Sequence, residues 1–278
     1  MNLHQRQQFG ITLVEMIVVI VIMGIIGGIV ALFLRRPVQQ YQDLTIRAEL
    51  SDTADTAVKR MSREIHLAVP NSMRSANSSC IEFVPAYDGG RYRAAADATG
   101  AGNAFTTAQA ISTFDVVGNL NAAPAVGDFV VVYNLGIPGA DIYAAADNKA
   151  SIVAPTSVSQ LNFASKQFPF ASPGNKFQLV SGTERAVSFV CTGVGVDAKG
   201  NGTGKLYRAS GYGFVSPEPS ACASVTTAPV LAQNISSCQF SYAQGVLERF
   251  GLVSIKVGIT KAGETISLYQ DVQVNNVP

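Results

Sequence analysis

The chain has 278 residues, of which 14% are charged and 47% are hydrophobic. Its formal net charge is +1, and its lysines and arginines are scattered without a basic run, which argues against a nucleic-acid-binding surface. The length suffices for one compact domain and a membrane anchor. The strongest departure from an ordinary soluble composition lies at the N-terminus.

A polar stretch, 1–10, precedes an apolar run from Ile11 to Leu34 in which Glu15 is the one ionisable residue. At about 1.5 Å per residue, a helix of this length covers about 36 Å, which is enough to cross a hydrocarbon core of about 30 Å. The run is too long for an ordinary signal peptide, and no small-x-small cleavage site follows it. A carboxylate at membrane depth is costly, so Glu15 is a functional candidate.

The residues around the start of the apolar run resemble those of a known protein family. A polar leader that ends in Gly10, followed by Ile11, Thr12-Leu13 and Glu15, resembles the N-terminus of type IV prepilins. The resemblance implies that a membrane prepilin peptidase cuts between Gly10 and Ile11 and methylates the new amino group of Ile11. In this family that position usually holds Phe or Met, so Ile11 is a mild departure.

The resemblance also implies a location and partners. The leader, 1–10, is expected to face the cytoplasm, and 11–34 to cross the bacterial inner membrane once. The remainder is expected in the periplasm and, after assembly, in a pilus. The implied partners are other major and minor pilins, the prepilin peptidase, the inner-membrane pilus assembly platform and inner-membrane lipid, with no nucleic acid. Arg35 and Arg36 follow the span, so basic residues alone do not set this orientation.

The position of Glu15 has a physical interpretation. After cleavage Ile11 carries a free ammonium group, and Glu15 lies four residues later, on the same face of a helix. The ammonium group of one subunit and the carboxylate of the next can neutralise each other in lipid, which would bring subunits into register. The alternative is that Glu15 reaches back to the cytoplasmic headgroups.

Small residues also occur within the apolar run. Gly24 and Gly28 stand four apart, with Gly27 between them. Small residues at this spacing let helices approach closely in lipid, and they lower helix propensity by about 0.8–1 kcal/mol each relative to alanine. We expect Gly24 and Gly28 to lie at a helix-packing surface.

Beyond the membrane run the helix is predicted to continue to about residue 70. Apolar residues recur at three- and four-residue intervals, which indicates a helix with one face on a globular domain. These residues are Tyr41, Leu44, Ala48, Ala54, Val58, Met61 and Ile65. Pro37 either starts this second part or kinks the helix, and Pro70-Asn71-Ser72 ends it.

Several segments narrow the resemblance to MshO-type minor pilins of the mannose-sensitive haemagglutinin (MSHA) pilus. These segments are Leu34-Arg35-Arg36-Pro37-Val38-Gln39, Arg47-Ala48-Glu49-Leu50-Ser51-Asp52-Thr53-Ala54-Asp55, Pro70-Asn71-Ser72, Leu268-Tyr269 and Val274-Asn275-Asn276-Val277-Pro278. The minor pseudopilins of type II secretion that are called J-type share the leader and the general plan, so they remain an alternative.

From Cys80 onward the pattern changes to short β-strands between turns. The expected strands are 81–84, 128–133, 186–191, 206–208 and a final pair, 253–259 and 266–274, joined across Lys261-Ala262-Gly263-Glu264. A turn is expected at Asp88-Gly89-Gly90 and a long surface loop from Ala94 to Ala110. The prediction is an α+β fold in which 11–70 packs on a mainly antiparallel sheet formed by a periplasmic domain, 71–278.

Four cysteines, Cys80, Cys191, Cys222 and Cys238, give three possible disulfide connectivities in an exported chain. Cys222 and Cys238 close the shortest loop between successive cysteines and form our preferred pair, which leaves Cys80 with Cys191. Free buried thiols are the alternative. The spacing does not fit a metal site.

The sequence offers no convincing catalytic site, and we expect neither an enzyme nor a bound cofactor. After cleavage His66 is the one histidine left for a triad. The stretch from Gly200 to Lys205 departs from the phosphate-loop pattern and reads better as a hairpin turn. The stretch that begins at Asp197 weakly resembles a calcium-binding loop. It fails as one, because the cationic residues Lys199 and Arg208 occupy positions that calcium ligands would need.

Two classes of function therefore compete. The first is a structural subunit that helps initiate or cap a filament in the inner membrane. The second is a binding module, a tip-exposed adhesin whose middle loops contact a surface. The aromatic stretch Gly211-Tyr212-Gly213-Phe214 fits a core or a contact surface.

Overall fold

The computed structural model of the chain describes residues 10–145, 147–244 and 250–278, with the side chains of residues 35, 36, 38 and 244 left out. Apart from Gly10, the predicted leader lies outside the described residues. The chain divides into two compact units, Met1–Glu49 and Leu50–Pro278.

One long helix is followed by strands in the described part of the chain. In chain order the elements are α1 Leu13–His66, β1 Arg74–Asn77, β2 Cys80–Phe83, β3 Ala86–Tyr92, β4 Ile111–Val117, β5 Phe129–Val131, β6 Lys149–Ser151, β7 Gln160–Lys166, β8 Lys176–Val180, β9 Val187–Thr192, β10 Gly204–Ser210, β11 Val230–Gln244, β12 Phe250–Lys261 and β13 Glu264–Asn275. All strand pairs between these elements are antiparallel. The predicted α+β class, with a long N-terminal helix before an antiparallel domain, is confirmed.

Helix α1 runs without a break through Pro37, so this residue does not start a second helix, and the kink stays a prediction. The helix ends at His66 in a tighter last turn, where Leu67 N donates to Glu64 O at 3.1 Å. The predicted helix terminator at Pro70 follows four residues later.

The second part of α1 buries one apolar face. Its buried residues are Leu50, Ala54, Ala57, Val58, Met61 and Ile65. The expected buried face is wrong at its N-terminal end, because Tyr41 and Leu44 are 73% and 66% exposed. Helical periodicity identifies a face, but burial depends on what the rest of the chain places beside it.

An ion-pair chain connects this part of α1 to the sheet. Arg208 of β10 donates to Glu64 of α1 at 2.6 Å and to Glu184 at 3.0 Å. Glu64 also accepts from Arg60 one turn earlier, at 3.1 Å. Because Arg208 and Glu64 are largely buried, their charge-assisted bonds position the helix on β10.

The larger sheet has seven strands in the order β1-β2-β9-β10-β11-β12-β13. Its last two strands form the predicted hairpin, which is confirmed. They pair without interruption from Lys261↔Glu264 to Phe250↔Asn275. Ala262 and Gly263 turn the chain with φ values of 52° and 83°, the backbone that a two-residue hairpin loop requires.

The smaller sheet has six strands in the order β6-β5-β8-β3-β4-β7. Ile152, which follows β6, bridges Phe163 of β7, and Val153 N donates to Asn162 O at 2.9 Å. These contacts join the two outer strands, so the sheet closes on itself like a small barrel. Its interior is rich in rings, namely Tyr92, Phe105, Phe114, Phe163, Phe168 and Phe177.

The turn predicted at Asp88-Gly89-Gly90 is wrong, because β3 runs straight through it. The glycines serve close packing instead. A Cβ at Gly89 would lie 2.8 Å from the carbonyl oxygen of Phe177 in the neighbouring β8.

The predicted loop between Ala94 and Ala110 is confirmed, since its residues form no helix or strand. It is not a free surface loop throughout, because Phe105 is buried. The Phe105 ring stacks on Tyr92 at 4.2 Å between centroids.

Candidate functional site: the N-terminal segment and the disulfide-linked strap

The start of α1 is defined by Thr12. Its hydroxyl oxygen accepts a hydrogen bond from Glu15 N at 3.3 Å, and its carbonyl oxygen accepts one from Met16 N at 3.2 Å. Thr12 is therefore the N-cap, and Glu15 occupies the third helical position, as in a capping box. Sequence reasoning overlooked this role, although the Thr-x-x-Glu spacing is a recognised signal of a helix start.

The predicted cleavage residues lie just outside the helix. Gly10 is exposed, and Ile11 is 77% exposed and precedes the cap residue. Glu15, one turn into the helix, is exposed as well. A new amino group on Ile11 would thus sit beside the first turn, which carries the carboxylate.

The large apolar side chains between Ile11 and Leu34 are all about half exposed or more. Helix α1 is the one described helix that contains a segment long and apolar enough to cross a membrane, and none of that segment is buried within the chain. A helix segment that is apolar on every side and exposed along its length needs an apolar environment from elsewhere.

Gly24, Gly27 and Gly28 lie in this segment with open space around them. A Cβ at any of the three would meet no atom within 4 Å beyond the neighbouring helix backbone. The space is compatible with close approach of another helix. The packing role of Gly24 and Gly28 stays a prediction.

Comparison with known families identifies the N-terminal segment. Residues 5–31 match the prokaryotic N-terminal methylation motif. This is a prepilin-type N-terminus. The match covers the capped helix start and much of the apolar run, and it does not extend into the β-rich domain. No curated protein and no solved structure matches the chain.

The prepilin-type N-terminus has consequences for the whole chain. It supports a membrane-anchored protein of the pilin or pseudopilin type. It implies processing by a prepilin peptidase and assembly with other pilins, and it points to a structural subunit rather than an enzyme. The exposed apolar helix agrees with this interpretation, because pilin-type subunits need one in the membrane.

All four cysteines form disulfides, but our preferred pairing is wrong. Cys80 pairs with Cys222, and Cys191 pairs with Cys238, with Cα–Cα distances of 5.8 and 6.4 Å. The turn between β1 and β2 explains the second pair. Cys191 N donates to Ser79 O, and Phe240 N donates to Ser78 O, so β9 and β11 meet at one turn.

The first disulfide fastens the irregular segment 211–229, which we call the strap. Arg74 of β1 donates to Val215 O of the strap at 2.8 Å, and Ser75 N donates to Glu218 at 3.1 Å. Cys222 completes these attachments through its disulfide to Cys80. The strap therefore lies along β1 and is held covalently to β2.

A buried ion pair lies next to the strap. Arg74 and Glu82 are mostly buried and are joined by bonds of 2.5 and 2.6 Å. The Arg74 guanidinium lies 3.4 Å from the centre of the Tyr143 ring, and the Tyr212 hydroxyl donates to Glu82 at 3.0 Å. Burial raises the pKa of Tyr212, and the Glu82 carboxylate raises it further, so this hydroxyl stays a donor.

The aromatic stretch that fitted either a core or a contact surface packs against the core, where Tyr212 and Phe214 are partly buried. Tyr212 joins the ion-pair network, and Phe214 packs edge-on against Phe129 at 5.3 Å. Lys149 lies over the Phe214 ring at 4.9 Å. Burial lowers the pKa of Lys149 to about 8, while Asp141 partly offsets that effect.

Asp197 and His66 are the remaining candidates from the sequence, for a calcium loop and a catalytic triad respectively. The Asp197 carboxylate accepts bonds from Lys199 N and Asn201 N, both at 2.8 Å, so it stabilises a turn. These bonds lower its pKa. His66 is the exposed last residue of α1. Within the described residues, no group of three His, Cys, Asp or Glu side chains is placed to hold a metal ion.

Proposed function

We propose that this chain is a minor pilin of an MSHA-like type IV pilus, which helps initiate or organise pilus assembly through its N-terminal helix. The observation that carries the proposal is the prepilin-type motif on an exposed apolar helix whose first turn holds Glu15. The proposal includes cleavage between Gly10 and Ile11 and methylation of Ile11.

The proposed assembly step pairs opposite charges in lipid. The ammonium group on Ile11 of one subunit meets the Glu15 carboxylate of another, and each relieves the cost of an unpaired charge in the hydrocarbon. The cap on Thr12 supports this step, because it fixes where the helix starts and so where Glu15 points. Gly24 and Gly28 would let neighbouring helices approach.

The proposal assigns a place to each part of the chain. Residues 1–10 form the leader, 11–34 cross the inner membrane within the long helix that ends at His66, and 71–278 form the periplasmic domain. Support for an exported domain comes from its two disulfides, which persist in oxidising compartments.

Mass spectrometry of the mature chain, purified from the membranes of its host, tests the proposal. We expect the N-terminal peptide to begin at Ile11 and to carry one added methyl group. Replacing Gly10 with a bulky residue should leave the leader attached, whereas the same replacement at Gly24 should not affect cleavage. An intact Met1 form in a host with an active prepilin peptidase would overturn the proposal.

A J-type minor pseudopilin of a type II secretion system is the second candidate, because the motif at 5–31 is compatible with both machines. Deleting the gene separates them. Loss of surface pili with normal protein secretion supports the pilin, and loss of secretion with normal pili supports the pseudopilin.

A further inference from the structure

The two sheets of the domain differ in how their outer strands are protected. The six-stranded sheet closes through the bridge between Ile152 and Phe163. The seven-stranded sheet stays open and ends in β1 on one side and β13 on the other. An open edge offers unpaired backbone donors and acceptors to any other chain, so folded proteins usually shorten, charge or cover it.

The β1 edge is protected in two ways. It is only four residues long, and the strap lies along it. The backbone donor of Ser75 is satisfied by the Glu218 carboxylate, and the strap is fixed at Cys222. Little of this edge is left for another strand to pair with.

The β13 edge lacks most of the usual protective features, and its charges are limited to Glu264 and Asp271. It is 12 residues long, and its register with β12 has no bulge. Its sequence, from Glu264 to Asn275, contains no proline, lysine or arginine. Among the described strands β12 is its one partner.

The side chains along β13 are incompletely covered. Ile266 and Leu268 point to the inner face of the sheet but are only partly buried, whereas Val272 and Val274 further along the same face are buried. On the outer face Tyr269 is 64% exposed. A further strand beside β13 would cover Ile266 and Leu268 in the way that β12 already covers one side of them.

We propose that β13 is a docking edge to which an extended segment of another pilin-type subunit adds as a further strand. This inference rests on the proposed function, which places such subunits in the same membrane and so raises their effective concentration. The backbone bonds of the added strand supply affinity, and its alternate side chains supply specificity.

The charges of β13 define the chemistry of the partner. The charged residues of this strand, Glu264 and Asp271, are both acidic. A second copy of the chain would bring two more carboxylates to the same seam, and like charges on neighbouring strands are destabilising. The partner strand is therefore one with alternating apolar residues facing Ile266 and Leu268 and a basic residue near Asp271.

Photo-crosslinking in membranes of the native host tests the docking edge. The full chain carries p-benzoylphenylalanine in place of Gln273, on β13, or in place of Gln239, an exposed residue on the interior strand β11. We expect at least a tenfold higher yield of adduct from position 273. Mass spectrometry of the adduct should identify a different protein that has a prepilin-type N-terminus.

A blocking variant and a matched control variant complete the test. Leu268→Lys places a charge beside the docking edge, and Val230→Lys introduces the same charge on the interior strand β11, where Val230 is 41% exposed and β12 separates it from β13. The adduct from position 273 should fall at least tenfold in Leu268→Lys and persist in Val230→Lys. If Leu268→Lys does not fold, judged by its disulfides on a non-reducing gel, Ser267→Lys replaces it.

Three outcomes would overturn the docking edge. They are equal adduct yields from the two labelled positions, an unchanged adduct in the blocking variant, and an adduct that contains only a second copy or a protein without a prepilin-type N-terminus. Leader removal, measured in the same samples, reports separately on the proposed function.

Discussion

The two parts of helix α1 have the same secondary structure and opposite environments. From Ile11 to Leu34 the large apolar residues surround the helix and remain exposed. From Leu50 to His66 they occupy one face, and that face is buried. The second part is stabilised by the chain's own domain, and the first part needs an apolar environment from outside the chain.

The contrast has a simple energetic meaning. Methionine occurs in both parts, at Met23 with 70% exposure and at Met61 with none. The same side chain therefore contributes to folding of the domain in one place and is available for contacts in the membrane in the other. Variants matched between the two parts can test this division directly.

The largest expected effect is that of Met61→Ala. Removing a fully buried methionine loses transfer free energy and leaves a cavity, so the free energy of unfolding of the domain should fall by about 2–5 kcal/mol. Met23→Ala should change it by less than about 0.5 kcal/mol. Urea unfolding in detergent, followed by the near-ultraviolet signal of the domain, measures both. Equal losses would contradict the division of α1 into two parts.

Neutralising Glu15 should have the next largest effect. Glu15→Gln keeps the size of the side chain and the backbone donor that Thr12 caps, but removes the charge. If pairing with the Ile11 amine contributes about 1.4 kcal/mol, incorporation into sheared pili should fall about tenfold. Glu15→Asp keeps the charge and should retain most of the incorporation. Normal incorporation of Glu15→Gln would refute charge pairing, and neither variant should alter unfolding of the domain.

The smallest expected effect concerns the helix start. Thr12→Val keeps the shape of the side chain but removes the oxygen that accepts from Glu15 N, at a cost of about 1 kcal/mol. Amide exchange at Glu15 should accelerate about fivefold in detergent micelles. Thr45→Val is the matched control, because the Thr45 hydroxyl donates to Tyr41 O within the helix and caps nothing. Similar acceleration near both sites would mean that Thr12 has no special capping role.

Much of the fold could be predicted from local signals. The apolar run, the helical spacing up to Ile65 and the alternation in the final hairpin each depend on neighbours in sequence, and each is confirmed in the structure. The prepilin-type start is equally local, since its residues lie within one stretch and match a known motif.

The errors have non-local causes. The turn predicted at Asp88-Gly89-Gly90 failed because Gly89 faces the backbone of Phe177 and Gly90 faces its ring, and Phe177 is far away in sequence. The closed six-stranded sheet was not foreseen, although β6 and β7 follow each other in the chain, because closure also requires the pairing of β5, β8, β3 and β4 between them.

The cysteines show the same limit. Loop length favours Cys222 with Cys238, since a shorter loop costs less entropy to close. The fold instead carries the strap back to Cys80 and brings β11 to the turn beside Cys191. Strand order decided the pairing, and loop length did not.

The sequence by itself determined that the chain begins with a prepilin-type segment, continues as one long helix and ends in an antiparallel β domain, because periodicity and motif spacing act over a few residues. The tertiary structure decided which half of the helix is buried, which cysteines pair, and which sheet edge is closed and which is open. These depend on where distant strands come together, and short-range patterns carry no record of that.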